Sequence, residues 1–388
     1  MTWRMRNRTR RPRLLTPPFV LIMLATFAYF TALHMTVPVI PRLVVGPLGG
    51  GDVAVGLAVG AFTLTAIGLR PLAGRLGDRR GRRILMVGGA TVVAVSVAGL
   101  LVAGSMATVV ALRLLFGVGE AGFFVGAASA VNDLAPEERR GEATSLFSLA
   151  LFGGAAVGPV LGETLLTSVS FSAVWAVAAS LHAAAAVVAL GLPDTRPSGH
   201  DVEQAARLVH PAALMPGMVL AANVLGLSAF IGFVTLYSLE LGLSGSRFVF
   251  LLNAAIVLGI RSLGARIPDL VGPARTAKIA LSCSSVGLAV IALWGSVTGL
   301  FVGVAILAVG TALAFPALMT LAVRGAPPPE RGSVVGTFSA FFDLSFGLGA
   351  ITLGTIASAY GYRGAFAAAA LGGAAGLTLL LLRTRSPG

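Results

Sequence analysis

Apolar stretches long enough to cross a bilayer recur along the whole chain, and short polar segments separate them. Residues 84–105 and 172–192 are two such stretches, and neither alternates regularly between polar and apolar side chains. A helix needs about 20 mostly apolar residues to span a bilayer, and it satisfies its backbone polar groups internally. Only 11% of the residues are charged, whereas a soluble domain carries about 25%. The sequence therefore predicts an all-α polytopic membrane protein.

We predict twelve transmembrane helices from these stretches. Several connections are very short, such as residues 104–106, 166–168 and 295–297, and short connections make neighbouring helices antiparallel. The predicted spans are residues 18–41, 53–72, 84–105, 107–130, 142–165, 170–192, 213–238, 247–266, 275–296, 298–322, 334–357 and 363–382.

An internal repeat divides these helices into two halves of six. When the sequence is shifted by 191 residues, Arg70 falls on Arg261 and Arg140 falls on Arg331, each within a longer match and without a gap. Parallel repeats of this kind are related by an axis along the membrane normal, and they place a substrate site between the halves near the midplane. The predicted divisions are a basic tail over 1–17, a first half over 18–192, a linker over 193–212, a second half over 213–382 and a tail over 383–388.

The net charge of +13 follows membrane topology. All but four of the 28 Lys and Arg residues fall in the predicted tails and in every second loop, counted with the helix ends that adjoin it; the four are Arg42, Arg113, Arg247 and Arg363. The positive-inside rule then places both termini in the cytoplasm, with the N-terminal arginines against anionic lipid. The single lysine among so many arginines indicates a GC-rich bacterial genome. We therefore expect a multi-pass protein of a bacterial plasma membrane, with the bilayer rather than nucleic acid as its partner.

The loop after predicted helix 2 carries glycines, an acid and arginines at close spacing. Its glycines permit a tight turn, and Asp78 is suited to the N-terminus of a neighbouring helix. We expect Arg79 to pair with Asp133 at the end of predicted helix 4. These contacts would hold the cytoplasmic side closed; alternatively, the arginines only fix the topology. The predicted cytoplasmic gate consists of Gly74, Asp78, Arg79, Gly81, Arg82, Asp133 and, in the repeat, Asp269.

Two further patterns lie within predicted helices 4 and 5. Helix 4 carries Arg113 followed by Gly117 and Gly119, and helix 5 carries a glycine-rich motif that allows close packing and a proline kink. Together with the loop at 74–83, these segments resemble the signature motifs of the major facilitator superfamily. The helix-5 motif resembles that of the drug:proton antiporter branch, in which it is linked to external closure and to exchange; ordinary glycine packing is the alternative. That motif consists of Gly154, Gly158, Pro159 and Gly162.

Ionisable side chains within the predicted spans are the candidates for proton coupling, since each costs at least about 2.5–3.5 kcal/mol to insert. Glu120 and Asp343 suit a proton carrier by depth, with interhelix hydrogen bonding as the alternative. Glu163 stands where the branch usually has glycine, and we expect it to pair with Arg113, either for coupling or as a structural ion pair. His34 and His182 could join a proton path or simply be hydrogen-bonded. The predicted coupling residues are Glu120, Asp343, Arg113, Glu163 and His34.

Taken with the resemblance, these features predict a monomeric, proton-coupled efflux pump for amphiphilic or hydrophobic small molecules that works by alternating access. A proton-coupled importer of a small metabolite and a non-transporting receptor with the same fold are the alternatives. No metal cluster, phosphate loop or nucleophile–base set is visible, so we predict no cofactor, no metal and no enzymatic activity. The predicted substrate-cavity residues are Tyr29, Phe30, Asn223, Tyr237 and Asn253.

Overall fold

The computed structural model describes residues 14–195, 209–263, 270–327 and 330–385, and within these ranges the chain is helical and contains no strand. Two 3-10 turns, Leu100–Val102 and Glu137–Arg139, accompany the α-helices. The α-helices are α1 (Pro17–Met35), α2 (Val39–Val45), α3 (Asp52–Arg80), α4 (Arg82–Gly99), α5 (Met106–Leu134), α6 (Arg140–Ser168), α7 (Phe171–Leu190), α8 (Pro211–Glu240), α9 (Arg247–Leu263), α10 (Pro273–Leu293), α11 (Val297–Arg324) and α12 (Arg331–Arg385).

Ten segments of the described chain are long and apolar enough to cross a membrane. The last of them, Ser333–Arg383, has 51 residues, and Gly361 divides it into two arms because its backbone is not helical (φ 71°, ψ 176°). These arms supply two passes, and α9 supplies another with 17 residues. The predicted all-α polytopic fold is confirmed, and its twelve spans correspond to these helices.

Several helices continue beyond the predicted spans. The prediction ended helix 2 at residue 72, where charged residues become frequent, but α3 continues to Arg80 and contains Pro71 in its interior. Gly81 ends it with a φ of 93°, which favours glycine. An apolar run marks the part of a helix that lies in hydrocarbon, whereas the helix itself can extend into the polar layer. Asp78 consequently lies on a helix rather than in a loop, and Arg70 lies well inside that helix.

The helices form a first half, α1–α7, and a second half, α8–α12, that meet along two pairs of helices. In one pair α3 packs against the first arm of α12, and in the other α6 packs against α9. The predicted boundary between the halves, residues 193–212, falls largely outside the described ranges and stays a prediction. We call the end of the bundle at which α1 begins and α12 ends the terminus end, and the opposite one the far end.

The two halves are in close contact at the far end. A Cβ added at Gly60 would lie 2.5 Å from the backbone oxygen of Gly347, and one added at Gly56 would clash with the backbone of Ala350. Most buried residues of α3 belong to its far-end portion, and only Ala73 and Gly77 are buried nearer the terminus end. The described conformation is therefore closed at the far end.

Candidate functional site

Arg70 links the two halves through two carboxylates. Its guanidinium donates from Nη1 to Asp343 of α12, and from Nη2 to both oxygens of Glu120 on α5, at 3.2 and 3.4 Å. Both acids are buried. All three residues lie about 15–21 Å from the terminus-end tips of their helices, at 1.5 Å per residue. This cluster of one cation and two carboxylates therefore lies deep within the bundle and joins the first half to the second.

Aromatic side chains surround the Arg70 cluster. The guanidinium lies 5.0 Å from the ring centroid of Phe124. Tyr29 stacks on Phe123 with centroids 3.8 Å apart, and the charges of Glu120 and Arg70 act on its hydroxyl. That hydroxyl is buried and has no hydrogen-bond partner within the described ranges. Because an apolar environment strengthens electrostatic interactions, any change in the charge of this cluster will affect its neighbours strongly.

The sequence singled out Glu120 and Asp343 but missed the residue that brings them together. Arg70 lies only two residues before the end of predicted helix 2, so it was counted with the basic residues of the cytoplasmic side rather than with the charges inside the membrane. The repeat contained the missing signal, since Arg70 and Arg261 were already aligned by it. In the structure each of these two arginines meets a residue of the other half, Asp343 for Arg70 and Phe152 for Arg261.

Arg113 is bound inside the first half by α3. Its Nε donates to the backbone oxygen of Ala58 at 2.8 Å, and Nη2 donates to that of Val59 at 3.4 Å. The guanidinium also lies 4.6 Å from the ring centroid of Phe62 and 4.9 Å from that of Phe116. The expected pair of Arg113 with Glu163 is therefore wrong: α5 directs Arg113 towards α3, whereas the far-end tip of α6 lies beside α2 and α9.

Glu163 instead connects three helices at the far end. One carboxylate oxygen accepts from Arg42 of α2 at 3.3 Å, and the other accepts from the backbone nitrogen and hydroxyl of Ser246 at 2.8 and 2.7 Å. Ser246 directly precedes α9, so the carboxylate of the first half caps a helix of the second half. A helix N-terminus favours a negative charge there. The Glu163 side chain is fully buried, and we call this contact the far-end latch.

At the terminus end, Arg82 forms the ion pairs of the predicted gate. Its Nη2 lies 2.7 Å from Asp78, and its Nε donates to Asp133 at 3.2 Å. The expected partner of Asp133, Arg79, is thus incorrect. The turn at Gly81 starts α4 at Arg82 and directs that side chain towards the end of α5. In the described conformation Asp78 is paired within its own half.

Gly74 and Asp269 also belong to the predicted gate. A Cβ at Gly74 would meet no atom within 4 Å, so no close approach requires the glycine there in this conformation. Asp269 lies outside the described residues.

The glycine motif of α6 packs against α1. A Cβ at Gly154 would lie 2.7 Å from the backbone nitrogen of Thr31, and one at Gly158 would lie 2.5 Å from its oxygen. Gly162 is equally close to the backbone of Met35. Pro159 lies inside the helix and is buried. The motif thus permits two helices of the first half to approach until their backbones touch.

Two of the predicted cavity residues are packed inside their halves. Tyr29 belongs to the aromatic cluster beside Arg70, and Tyr237 is fully buried with its hydroxyl 3.3 Å from the backbone oxygen of Ile291. These tyrosines therefore do not line open space, because both of their rings fill contacts between helices. Phe30 is buried and Asn253 partly exposed.

Asn223, His34 and His182 are polar side chains within the helices, and the two histidines each contact the backbone of their own helix. Asn223 is buried, and its Oδ1 has no partner among the described residues. The Nδ1 atoms of His34 and His182 each lie 2.8 Å from a backbone oxygen one turn earlier, that of Phe30 and that of Ala178. Within the described ranges no group of three or more His, Cys, Asp or Glu residues is arranged to hold a metal ion.

Comparisons with known proteins agree with this architecture. Among solved structures, a bacterial homolog of the human lysosomal transporter Spinster, in an inward-facing and occupied conformation, has a TM-score of 0.80 at 15% identity and covers 95% of this chain and 96% of its own. The human organic anion transporter MFSD10 (TETRAN) has a TM-score of 0.73 at 20% identity, with coverages of 95% and 100%. At these identities the likeness shows the fold.

Sequence comparisons reach further. An uncharacterized MFS-type transporter of Salmonella typhimurium is 29% identical over 370 residues, which is 92% of this chain and 95% of the relative. One of Burkholderia mallei is 28% identical over 367 residues, with coverages of 91% and 89%. The family model described as Major Facilitator Superfamily matches residues 22–336 and, separately, 269–388. With more than half of its length matched, this chain belongs to the Major Facilitator Superfamily and is a multi-pass membrane transporter rather than an enzyme.

Proposed function

We propose that this transporter is a proton-coupled exporter of amphiphilic or hydrophobic small molecules. It works as a monomer by alternating access in a bacterial plasma membrane, and its terminus end faces the cytoplasm. The observation that carries the proposal is the cluster in which Arg70 binds one carboxylate from each half, Glu120 and Asp343. The positive charge of the alternate loops supports the orientation, and the glycine motif of α6 supports the direction of transport.

The charge balance of the cluster makes it a proton site. One guanidinium faces two carboxylates, so one bound proton makes the cluster neutral. Protonation of Asp343 removes the attraction between opposite charges that crosses between the halves, and leaves only a hydrogen bond from the guanidinium to a neutral carboxyl. Proton binding and the relative position of the halves are then thermodynamically linked, as coupling requires.

A transport cycle follows from this linkage. In the described conformation the far-end latch closes the external side, and the substrate enters from the cytoplasmic side or the inner leaflet. The halves then rock, the far end opens and the substrate leaves. A proton from outside binds Glu120 or Asp343, weakens the hold of Arg70, and is released to the cytoplasm after the return step. One proton thus enters for each outward movement of substrate.

Substitution of Asp343 by asparagine tests the proposal. In proteoliposomes with an imposed pH gradient and a panel of amphiphilic compounds, Asp343→Asn should reduce proton-driven export to the passive rate. The amide binds no proton, and Arg70 with Glu120 alone is already neutral, so the cluster no longer takes up a proton. Exchange of substrate between equal pools should persist, since it needs no net proton movement. The matched control is Glu240→Gln, which neutralises an exposed carboxylate at the far end of α8.

Two outcomes would contradict the proposal. Proton-driven export by Asp343→Asn at the wild-type rate would remove the cluster from the coupling mechanism. Accumulation of a substrate in the same direction as the proton flow would identify an importer instead.

A further inference from the structure

The two halves carry equivalent arginines in unequal environments. The 191-residue shift that places Arg70 on Arg261 also places Phe152 on Asp343. Their helices agree with it, because α6 begins at Arg140 and α12 begins at Arg331. The contact of Arg70 with Asp343 across α3 and α12 therefore has its counterpart in the contact of Arg261 with Phe152 across α9 and α6.

Arg261 lacks the counter-charges that Arg70 has. Its guanidinium carbon lies 3.7 Å from the ring centroid of Phe152, where Arg70 has a carboxylate. The repeat also replaces Glu120 by Thr311. No carboxylate within the described ranges forms an ion pair with Arg261, and its Nε is buried without a hydrogen-bond partner. Among the residues that the structure describes, this cation is therefore left without an anion.

The stacking on Phe152 leaves the hydrogen-bonding edge of Arg261 without a partner in the described part of the chain. A cation–π contact uses the face of the planar guanidinium, whereas its five N–H donors point outward in the plane and match the two oxygens of a carboxylate. The ring fixes the plane of the group without occupying its donors. In surroundings of low polarity, such an edge binds an anion more strongly than it would in water.

We propose that Arg261 binds the carboxylate of the transported molecule, with Phe152 holding the guanidinium in place, so that the substrates are organic anions with an apolar body. The inference rests on the proposed export function and specifies its substrate class. In this arrangement the first half carries the proton-binding acids at Arg70, and the second half carries the substrate-binding cation at the equivalent depth.

A binding experiment without any gradient tests the proposal. The full chain is purified in detergent, and its thermal stability is measured against benzoate, naphthalene-1-acetate and decanoate, each beside its uncharged amide. We expect at least one acid to bind the wild-type protein at least about tenfold more tightly than its amide. Arg261→Gln should weaken that acid about ten- to a hundredfold, since hydrogen bonds to charged groups are among the stronger ones.

Three variants and a lipid titration define the remaining outcomes. Phe152→Leu should weaken binding less than Arg261→Gln does. Arg261→Lys should bind the acid more tightly than Arg261→Gln but less tightly than the wild type, because an ammonium lacks the planar, two-pronged donor edge of a guanidinium. Arg247→Gln removes another arginine beside a phenylalanine, 5.0 Å from the ring of Phe248, and should leave binding unchanged. Displacement of the acid by phosphatidylglycerol, but not by phosphatidylcholine, would assign the site to a lipid headgroup and overturn the substrate role.

The proposal fails if none of the three acids binds, if acid and amide bind equally, or if Arg261→Gln binds the acid as the wild type does. These results are separable from a failure of the export function. Acid binding that depends on Arg261 remains valid even if Asp343→Asn transports normally. Proton-driven export that is insensitive to Arg261→Gln would leave the export function intact and refute only the present inference.

Discussion

The far-end latch should determine which side of the transporter is closed at rest. Glu163→Gln keeps the size of the side chain but removes its charge. The amide oxygen can still accept from Ser246, whereas the amide nitrogen carries donors towards Arg42, which also only donates. The substitution therefore replaces a favourable contact on α2 by an unfavourable one and weakens the cap on α9.

The expected magnitude follows from the lost contacts. Hydrogen bonds to charged groups contribute about 1.5–3 kcal/mol, and a charge at a partly buried helix N-terminus contributes up to about 2 kcal/mol. Because the glutamine retains some of this, we expect the closed far end to lose about 3 kcal/mol relative to the open one. That loss corresponds to roughly a hundredfold change in the equilibrium between the two conformations.

Electron paramagnetic resonance can measure this change as a distance distribution. Spin labels at S168C on α6 and E240C on α8 report the separation of the halves at the far end, since both residues are exposed. The single native cysteine, Cys283, is replaced by serine. Glu163→Gln should add a population at longer distance.

The matched control for this experiment is Glu142→Gln at the other end of α6. Glu142 pairs with Arg139 inside the first half, at 2.8 Å, so its neutralisation should not alter the distances at the far end. An unchanged distribution in Glu163→Gln, or an equal change in Glu142→Gln, would refute the latch.

Two further predictions concern packing and the terminus-end gate. Gly158→Ala should lower the melting temperature, because overpacking against the backbone of α1 costs about 1–3 kcal/mol. Gly153→Ala should hardly change it, since its Cβ would meet only a ring edge at 3.3 Å. Equal melting temperatures of the two variants would contradict this account. Asp78→Asn should abolish transport and leave membrane expression largely intact, because it removes the carboxylate that pairs with Arg82; transport at the wild-type rate would refute a role in gating.

The sequence predicted the fold well because the bilayer imposes long apolar runs, and the repeat then grouped those runs into halves. The ion-pair partners of the buried charges were harder to predict from the sequence. Whether Glu163 meets Arg113 or Arg42 depends on which helices lie beside the tip of α6, and helix depth alone does not specify that. The role of Arg70 was missed for a different reason: it lies two residues before the end of the apolar run, and hydrophobicity does not show that the helix continues to Arg80.

Tyr29 shows that the sequence also does not decide which residues line a cavity. An aromatic side chain in an apolar helix can face a neighbour or an opening, and only the packing of α1 against α5, with Tyr29 stacked on Phe123, decides between them. Arg79 and Arg82 are similar, because the turn at Gly81 determines which arginine reaches Asp133. Local backbone geometry therefore sets contacts that the spacing of charges leaves open.

The seam between α3 and α12 has an evolutionary consequence. Gly56 meets the backbone of Ala350, and Gly60 meets that of Gly347, so few side-chain carbons are hidden at these contacts and little hydrophobic free energy is lost when they separate. Re-forming these glycine contacts also requires no search among rotamers. A lineage could therefore retune the resting state of the empty transporter by exchanging a single polar residue such as Glu163. Substrate recognition, which we propose at Arg261, would be free to diverge independently.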